Sequence, residues 1–247
     1  MSRFVTIGIA LLLLVGGARG ALVLHNGSFD LDAPLGAADD PAVAPTGWYQ
    51  HYSEDQSWSD FRFGSDGNGG WTNNGITLGQ NYLGPNFTPG PEDGYYYTSV
   101  GTYSGEASAT VRGSGYNRSG RANPAGDFYV QLYSTKPGTF TAADGADVAA
   151  AGVGTLLGQL RVDISSLTGT TPLSQAFTLT VPFAGTGVAP GDTVWLRIWD
   201  GPDDGNLDTF DEPTIDNLTL STVVPEPGAL GVLLLAAAPL VRRTARR

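Results

Sequence analysis

The stretch 192-DTVWLRIWD-200 decides the fold, because aliphatic side chains alternate in it with aromatic and charged ones. In an extended chain, successive side chains point to opposite faces. One face would carry Val194, Leu196 and Ile198. The other would carry Trp195, Arg197 and Trp199. The stretch 127-DFYVQLYS-134 has the same period of two, so both stretches are predicted to be strands with one face in an apolar core.

Further strand patterns lie on both sides of these two. They are 105-GEASATVRG-113, 158-GQLRVDISSL-167, 174-SQAFTLTVPF-183 and 213-PTIDNLTLS-221. Clusters of Gly, Pro, Asn and Asp separate them, as expected for tight turns. Only 145-GADVAAAGVG-154 hints at a helical turn, and its glycines weaken that pattern. Many short strands indicate an all-β protein, an antiparallel β-sandwich or jelly roll, from which the glycine-rich residues 64–94 make an excursion.

The first 20 residues have the pattern of a secretory signal peptide. Arg3 precedes the apolar run 4–15, and the small residues Ala18 and Gly20 stand at the −3 and −1 positions of a cut before Ala21. We therefore expect residues 1–20 to form a signal helix that signal peptidase removes during export. The alternative is a buried N-terminal helix that belongs to the fold.

The last residues combine a rigid turn, an apolar run and a basic end. Two prolines hold Val224-Pro225-Glu226-Pro227 extended. The uncharged run 227–241 is slightly shorter than the roughly 20 residues of a bilayer span. Four arginines complete the pattern: Arg242, Arg243, Arg246 and Arg247. Basic residues stay on the cytoplasmic side, so the bulk of the chain would lie outside.

These three features in this order resemble the PEP-CTERM sorting signal of Gram-negative bacteria. The resemblance covers residues 224–247 and implies that an exosortase, an integral-membrane enzyme, processes the tail at Pro-Glu-Pro. It also implies delivery to the cell surface or the extracellular polymer. An ordinary C-terminal anchor is the alternative, which would keep the outside location without processing. The expected division is a signal peptide at 1–20, a β-sandwich domain at 21–222 and a sorting signal with a short transmembrane helix at 223–247.

The part between the two end segments is strongly acidic. The ends hold six of the 13 basic residues and one of the 24 acidic ones, which leaves seven basic and 23 acidic residues and a charge of about −16. Such a body repels nucleic acid, so no nucleic-acid partner is expected. The chain has no cysteine and none of the Gly-x-Ser-x-Gly, His-Glu-x-x-His or phosphate-loop motifs. We therefore expect a protein that is not an enzyme and requires no cofactor.

The two ends of the acidic body carry a second resemblance. The body begins 22-LVLHNGSFDLDAP-34, continues 45-PTGWYQ-50 and closes 213-PTIDNLTLS-221. This combination is similar to the galactose-binding-like jelly rolls, which include many carbohydrate-binding modules. The resemblance implies that the first and last strands pair. It also implies a structural calcium ion beside them, held by the acid after the Phe and by the Asp of the last strand, here Asp30 and Asp216.

A further candidate for calcium is the acidic stretch 200-DGPDDGNLDTFDEPTID-216, which has seven carboxylates. Clustered carboxylates need a hard cation or ample water to screen their repulsion. The candidate ligands in it are Asp200, Asp204, Asp208 and Asp211. Pro202 stands where an EF-hand loop needs a ligand, which argues against an EF-hand. Two interpretations stay open: a structural calcium site and a solvated acidic loop.

The aromatic faces of the two strands quoted first supply the candidate ligand-binding residues. These are Trp195, Arg197, Trp199, Tyr129 and Tyr133. Flat rings beside hydrogen-bonding groups suit a sugar, whose C–H face stacks on aromatic rings. The alternatives are a reversed register, which would bury the rings in the core, and a cover formed by residues 64–94. Trp48, which follows a Pro-Thr-Gly turn, is expected in the core.

Together these features predict an exported surface or extracellular-matrix protein whose sandwich binds extracellular polysaccharide. Its partners would be signal peptidase, an exosortase-type enzyme and the polysaccharide. Two alternatives stay open. One is a glycan-active hydrolase, which would place two carboxylates across a cleft from each other. The other is a structural coat or biofilm protein without a small ligand.

Overall fold

The computed structural model describes residues 21–29, 44–51, 76–77, 95–116, 127–164, 166–167, 173–199 and 214–225. In this part of the chain all regular structure is β-strand. The nine strands are β1 (Tyr49–His51), β2 (Ile76–Thr77), β3 (Tyr95–Thr102), β4 (Ser108–Tyr116), β5 (Asp127–Thr135), β6 (Thr155–Asp163), β7 (Ser174–Pro182), β8 (Thr193–Trp199) and β9 (Thr214–Val223). The predicted signal peptide, and the sorting signal from Glu226 onwards, lie outside the described residues.

The strands form two antiparallel sheets whose order shows nested pairing. One sheet has the order β1-β3-β8-β5-β6 and the other β2-β9-β4-β7. Strand β5 pairs with β6, β4 with β7, β3 with β8 and β2 with β9. The chain from β2 to β9 is therefore one long hairpin rolled over two sheets, which is the jelly-roll arrangement. The prediction of an antiparallel β-sandwich is confirmed.

The alternation read from the sequence places the aliphatic faces between the sheets. Six residues of the two quoted strands are completely buried in the main core: Val194, Leu196, Ile198, Phe128, Val130 and Leu132. The four-stranded sheet contributes the other half of this core, and an edge-to-face contact between Phe128 and Phe177, with ring centres 5.5 Å apart, joins the two layers. Burial of these apolar side chains is the main term that holds the sheets together.

The residues that carry the galactose-binding-like resemblance meet near the N-terminus of the described chain. The Gly27 carbonyl accepts a hydrogen bond from the Leu218 amide of β9 at 2.8 Å. The Trp48 indole donates to the Asn26 carbonyl at 3.2 Å, and its ring lies 5.4 Å from that of Phe29. Trp48 is in the core, as predicted. Residues 21–29 are not themselves a strand, so they contact the last strand through this bond rather than through a ladder.

The sandwich has two ends that matter for the site. At the turn end, Thr102 of β3 is opposite Thr193 of β8, and Ser108 of β4 is opposite Val223 of β9. At the far end, Tyr95 of β3 is opposite Trp199 of β8.

Candidate functional site

Three rows of side chains cross the outer face of the five-stranded sheet, because strand register aligns them. The row at the far end holds Tyr95, Trp199, Tyr129 and Arg161. The middle row holds Tyr49, Tyr97, Arg197, Gln131 and Gln159. The row nearest the turn end holds Ser99, Trp195 and Tyr133. This face brings all five predicted ligand-binding residues together on two neighbouring strands, β8 and β5.

The connection between β5 and β6, residues 136–154, lies over the row nearest the turn end, over most of the middle row and over Tyr95 of the far-end row. We call it the cover segment. The Tyr97 hydroxyl donates to the Ala143 carbonyl at 2.7 Å, and the Tyr95 hydroxyl donates to the Ala146 carbonyl at 3.1 Å. Its apolar side chains pack against the aromatic residues of the sheet in a second, smaller core, to which Phe140, Ala142, Val148 and Ala149 contribute. The cover segment contains turns rather than a helix.

Strand β1 holds the edge of the cover segment. The Gln50 amide donates to the Asp144 carboxylate at 3.1 Å, and the Gly145 amide donates to the Gln50 carbonyl at 2.9 Å. These two bonds join chain regions 94 residues apart. The cover segment is therefore attached at both its strand ends and along its middle.

Three of the five predicted ligand-binding residues are buried by this arrangement. Trp195 is 6% exposed, Arg197 5% and Tyr133 8%. The Trp195 indole packs edge-to-face on Phe140 and donates a hydrogen bond to the Thr135 hydroxyl at 2.9 Å. The sequence offered an open face, a reversed register or a cover from residues 64–94. The register is the predicted one, residues 136–154 cover this part of the face, and residues 64–94 lie outside the described residues except for 76–77. In this conformation the three side chains support the face and do not offer a contact surface to a large ligand.

Arg197 is the centre of the buried part. Its guanidinium lies 4.1 Å from the centre of the Tyr95 ring and 4.9 Å from that of Trp199. It donates to the Gln131 side-chain oxygen at 2.8 Å, and its Nε is 3.9 Å from the Asp147 carboxylate of the cover segment. A desolvated guanidinium between aromatic rings is a cation–π arrangement. Arg197 thus fixes the position of Trp199 from below.

Tyr129 and Trp199 remain partly open at the far end. Their rings are 5.2 Å apart and inclined by 41°. The Trp199 indole Nε1–H is buried and donates to no atom of the described residues, so it is a donor that a water or ligand oxygen would satisfy. Beside Tyr129, on edge strand β6, the Arg161 side chain is 59% exposed and forms an ion pair with Asp127.

Arg161 and Asp127 were not predicted as site residues. Arg161 lies in the strand pattern 158-GQLRVDISSL-167, but its neighbour Tyr129 is 32 positions away in sequence. A register shift between Leu132 and Tyr133 sets which β6 residue meets which β5 residue. The only sequence signal was the alternation itself, which puts Arg161 on the polar face of its strand. The Asp127 carboxylate raises the pKa of Arg161 through a hydrogen bond and its charge.

Burial raises the pKa values of the tyrosines below the cover segment. Desolvation raises the pKa of Tyr97 to about 12, although the hydrogen bond that the Ala143 backbone amide donates to its hydroxyl oxygen acts in the opposite direction. Desolvation also raises the pKa of Tyr95 well above its ordinary value and raises that of Tyr133. The negative charge of Asp147 adds to the effect in both. All three hydroxyls therefore stay protonated at neutral pH.

Of the predicted calcium ligands, only Asp216 is among the residues that the structure describes. It is 3% exposed on β9, and its carboxylate accepts hydrogen bonds from the backbone amide and side-chain amide of Asn217. The other candidate ligands lie outside the described residues: Asp30, Asp200, Asp204, Asp208 and Asp211. Among the residues that the structure describes, no three acidic or histidine side chains converge as a metal site. A calorimetric titration with Ca²⁺ separates a bound ion from a solvated acidic loop.

The predicted sorting motif would begin directly after the sandwich. Val223 is the last residue of β9, and Val224 and Pro225 follow it in the described chain, both exposed. Within the described ranges, none of which is helical, there is no helix long and apolar enough to cross a membrane. Glu226, Pro227 and the terminal arginines Arg242, Arg243, Arg246 and Arg247 lie beyond these ranges.

Comparison with known proteins finds similar architecture at low sequence identity. The K1 cleaved adhesin domain of Lys-gingipain from Porphyromonas gingivalis W83 is 14% identical over 72% of this chain and 92% of that domain, with a TM-score of 0.41. A CBM4 module is 17% identical over 80% of this chain and 98% of the module, with a TM-score of 0.40. The xylan-binding module CBM15 is 16% identical over 76% of this chain and 95% of the module, with a TM-score of 0.39.

No protein-family model matches the sequence, and no curated protein matches it either. At these sequence identities and TM-scores, the ligands of the similar structures cannot be assigned to this chain.

Proposed function

We propose that the chain is a surface protein whose β-sandwich binds extracellular polysaccharide through Tyr129 and Trp199. The observation that carries this proposal is the pair of partly open rings, 5.2 Å apart on adjacent strands β5 and β8. Rings that remain accessible on a partly covered face offer an apolar platform to the C–H face of a pyranose. The pair is also held rigidly, because Arg197 lies below Trp199.

The surroundings of the pair supply polar contacts of the kind that a sugar requires. Arg161 of β6 is the register partner of Tyr129 of β5, and Asp127 forms an ion pair with Arg161. Neighbouring strands are about 4.8 Å apart, so Trp199, Tyr129 and Arg161 span roughly 10 Å of the face. A short run of sugar rings would thus meet both aromatic surfaces and a charged hydrogen-bonding pair. In sites of this composition, a few polar groups of the protein beside an apolar surface fix the orientation of the ligand.

The proposal includes export and sorting. Residues 1–20 have the pattern of a signal peptide, and residues 224–247 have the ordered turn, apolar run and arginines of the PEP-CTERM signal. We propose that signal peptidase and an exosortase-type enzyme of a Gram-negative bacterium process the two ends. The acidic body would then lie outside the cell, at the surface or in the extracellular matrix, where polysaccharide is available. Pulse labelling of the protein in its host, with mass determination of both termini, tests this part.

The binding proposal is tested by glycan-array and calorimetric measurements on the full chain. We expect binding by the unchanged protein and a loss of about tenfold or more for Trp199→Ala and for Tyr129→Ala, since each removes one stacking surface worth about 1.4 kcal/mol or more. The control is Tyr116→Ala, which removes a half-buried ring from the opposite sheet. Equal binding by all variants would place any site elsewhere. Release of reducing ends would indicate the hydrolase, and no binding at all would favour a coat protein.

A further inference from the structure

We infer that the turn end of the sandwich rests on the lipid headgroups while the chain is held in the membrane, so that Tyr129 and Trp199 point away from the bilayer. This inference rests on the proposed membrane segment in residues 227–241. It adds which surface of the domain meets lipid and which surface is presented outward.

The exit point of the chain is fixed at the turn end. The Val223 carbonyl accepts a hydrogen bond from the Ala107 amide at 2.6 Å, so β9 is attached to the sheet up to that residue. The apolar run begins four residues later, at Pro227. Four extended residues reach about 14 Å at most. The headgroup layer on one side of a bilayer is roughly 6 Å thick. The turn end must therefore lie within about 8 Å of the headgroup layer.

The charge of the turn end differs from that of the rest of the acidic body. Its three turns, residues 103–107, 136–139 and 183–192, contain one basic and two acidic side chains. Both acids are buried: Glu106 is 2% exposed and Asp192 3%. The Lys136 side chain is 64% exposed and is the only lysine of the sequence.

Each of the two buried carboxylates is bonded within the turns. Glu106 accepts hydrogen bonds from the Ser104 amide and hydroxyl, both at 2.8 Å. Asp192 accepts one from the Ala189 amide at 2.9 Å and lies 3.4 Å from the Lys136 ammonium. The turns therefore show a lysine and uncharged groups to the outside. A body of about −16 charge meets anionic headgroups at lowest cost with such a surface.

The turn end is rigid enough to transmit this orientation to the site. The Tyr103 amide donates to the Asp192 carbonyl at 2.8 Å, and the Gly191 amide donates back to the Tyr103 carbonyl at 2.9 Å. The Tyr103 and Phe183 rings pack edge-to-face at 5.1 Å. Strand β3 then runs about 25 Å to the far end, where Tyr95 is opposite Trp199. The pair Tyr129–Trp199 is thus separated from the exit point by the length of the sheet.

The chain has no cysteine, so single labels can be placed at either end. The full chain, expressed with its own N-terminal segment and recovered with residues 226–247 intact, is reconstituted into vesicles of neutral and anionic phospholipid. A fluorophore is attached at one of two positions. Ala184→Cys lies in the turn that follows β7, at the turn end, and Ser174→Cys lies at the start of β7, at the far end. Both positions are exposed. The quencher is a nitroxide on the lipid headgroup, which acts only at short range.

We expect the headgroup nitroxide to quench the label at position 184 at least twofold and to leave the label at 174 nearly unchanged. Equal quenching at both positions, or stronger quenching at 174, would overturn the inference. A chain that does not sediment with the vesicles at all would instead refute the proposed membrane segment, and the inference with it.

Discussion

Arg197 and Trp199 lie on the same face of β8, and the guanidinium of the first is 4.9 Å from the ring centre of the second. This contact joins the buried half of the outer face to the open half. On one side Arg197 reaches Gln131 and Asp147, and on the other it supports the indole that we propose to contact sugar. A substitution beneath the surface should therefore change what the surface binds.

Replacement of Arg197 by Met should destabilise the fold and weaken glycan binding together. The buried Gln131 oxygen would lose its donor, which costs about 1–3 kcal/mol in the free energy of unfolding. Trp199 would lose its support, so we expect binding to fall several-fold although no contact residue has changed. Urea unfolding and calorimetric titration measure the two effects. Arg197→Lys, which keeps the charge but loses the planar stacking, should recover part of the stability. Binding unaltered in the Met variant would show that Trp199 needs no support from below.

The attachment of the cover segment to β1 should depend on the acceptor at position 144. In Asp144→Ala the Gln50 amide loses its partner, and we expect a loss of about 0.5–1.5 kcal/mol and faster hydrogen exchange in residues 140–149. Asp144→Asn keeps an oxygen acceptor and should exchange nearly as slowly as the unchanged protein. Hydrogen exchange read by mass spectrometry gives the comparison. Identical exchange in all three proteins would mean that other contacts alone hold the segment.

Stability should fall at high pH because Tyr97 keeps its proton longer in the folded state than in the unfolded one. Its pKa is raised by burial from 10.0 to about 12. The stabilisation is therefore fully present below pH 10 and is lost as the pH rises from 10 to 12. Urea unfolding between pH 8 and pH 12 measures this slope. Tyr97→Phe, which cannot ionise, should show a shallower decline in that window, and an equally steep decline would assign the effect to other groups.

An added methyl group at Gly158, where the two sheets are in contact, should destabilise the fold. A Cβ there would lie 2.6 Å from Cγ2 of Val181, so Gly158→Ala should cost about 1–3 kcal/mol through overpacking. Val181→Ala alone should also destabilise, because it leaves a cavity. The double variant should cost less than the sum of the two, since the smaller side chain makes room for the added methyl group. Additive costs in denaturant unfolding would show that the sheets shift apart instead.

The alternation of residues in two strands was enough to predict the sandwich and its inner face. Leu196 and Ile198 are completely buried, and Trp195 and Arg197 point to the opposite face, as the period of two requires. Trp48 was likewise assigned to the core correctly, because a large ring after a tight turn has few other places to be buried. The alternation along a strand predicts which face each residue is on, and the folded protein keeps that arrangement.

What the sequence did not report is what lies on top of each face. Trp195 and Trp199 are equivalent in the pattern, four positions apart on one strand, yet the first is buried beneath the cover segment and the second stays partly exposed. Nothing in residues 136–154 identifies them as a cover, because their contacts with Tyr97 and Gln50 join regions 46 and 94 positions apart. The neighbours Tyr129 and Arg161 also depend on a register shift in β5–β6 pairing.

The sequence by itself determined that this is an acidic all-β chain with two aromatic strand faces, since charge and alternation are properties of neighbouring residues. Only the tertiary structure decided that one aromatic pair stays open, that an arginine supports it from inside, and that the chain leaves the sandwich at the opposite end. Those facts depend on contacts between segments far apart in the chain, whose geometry is set by packing the whole domain at once.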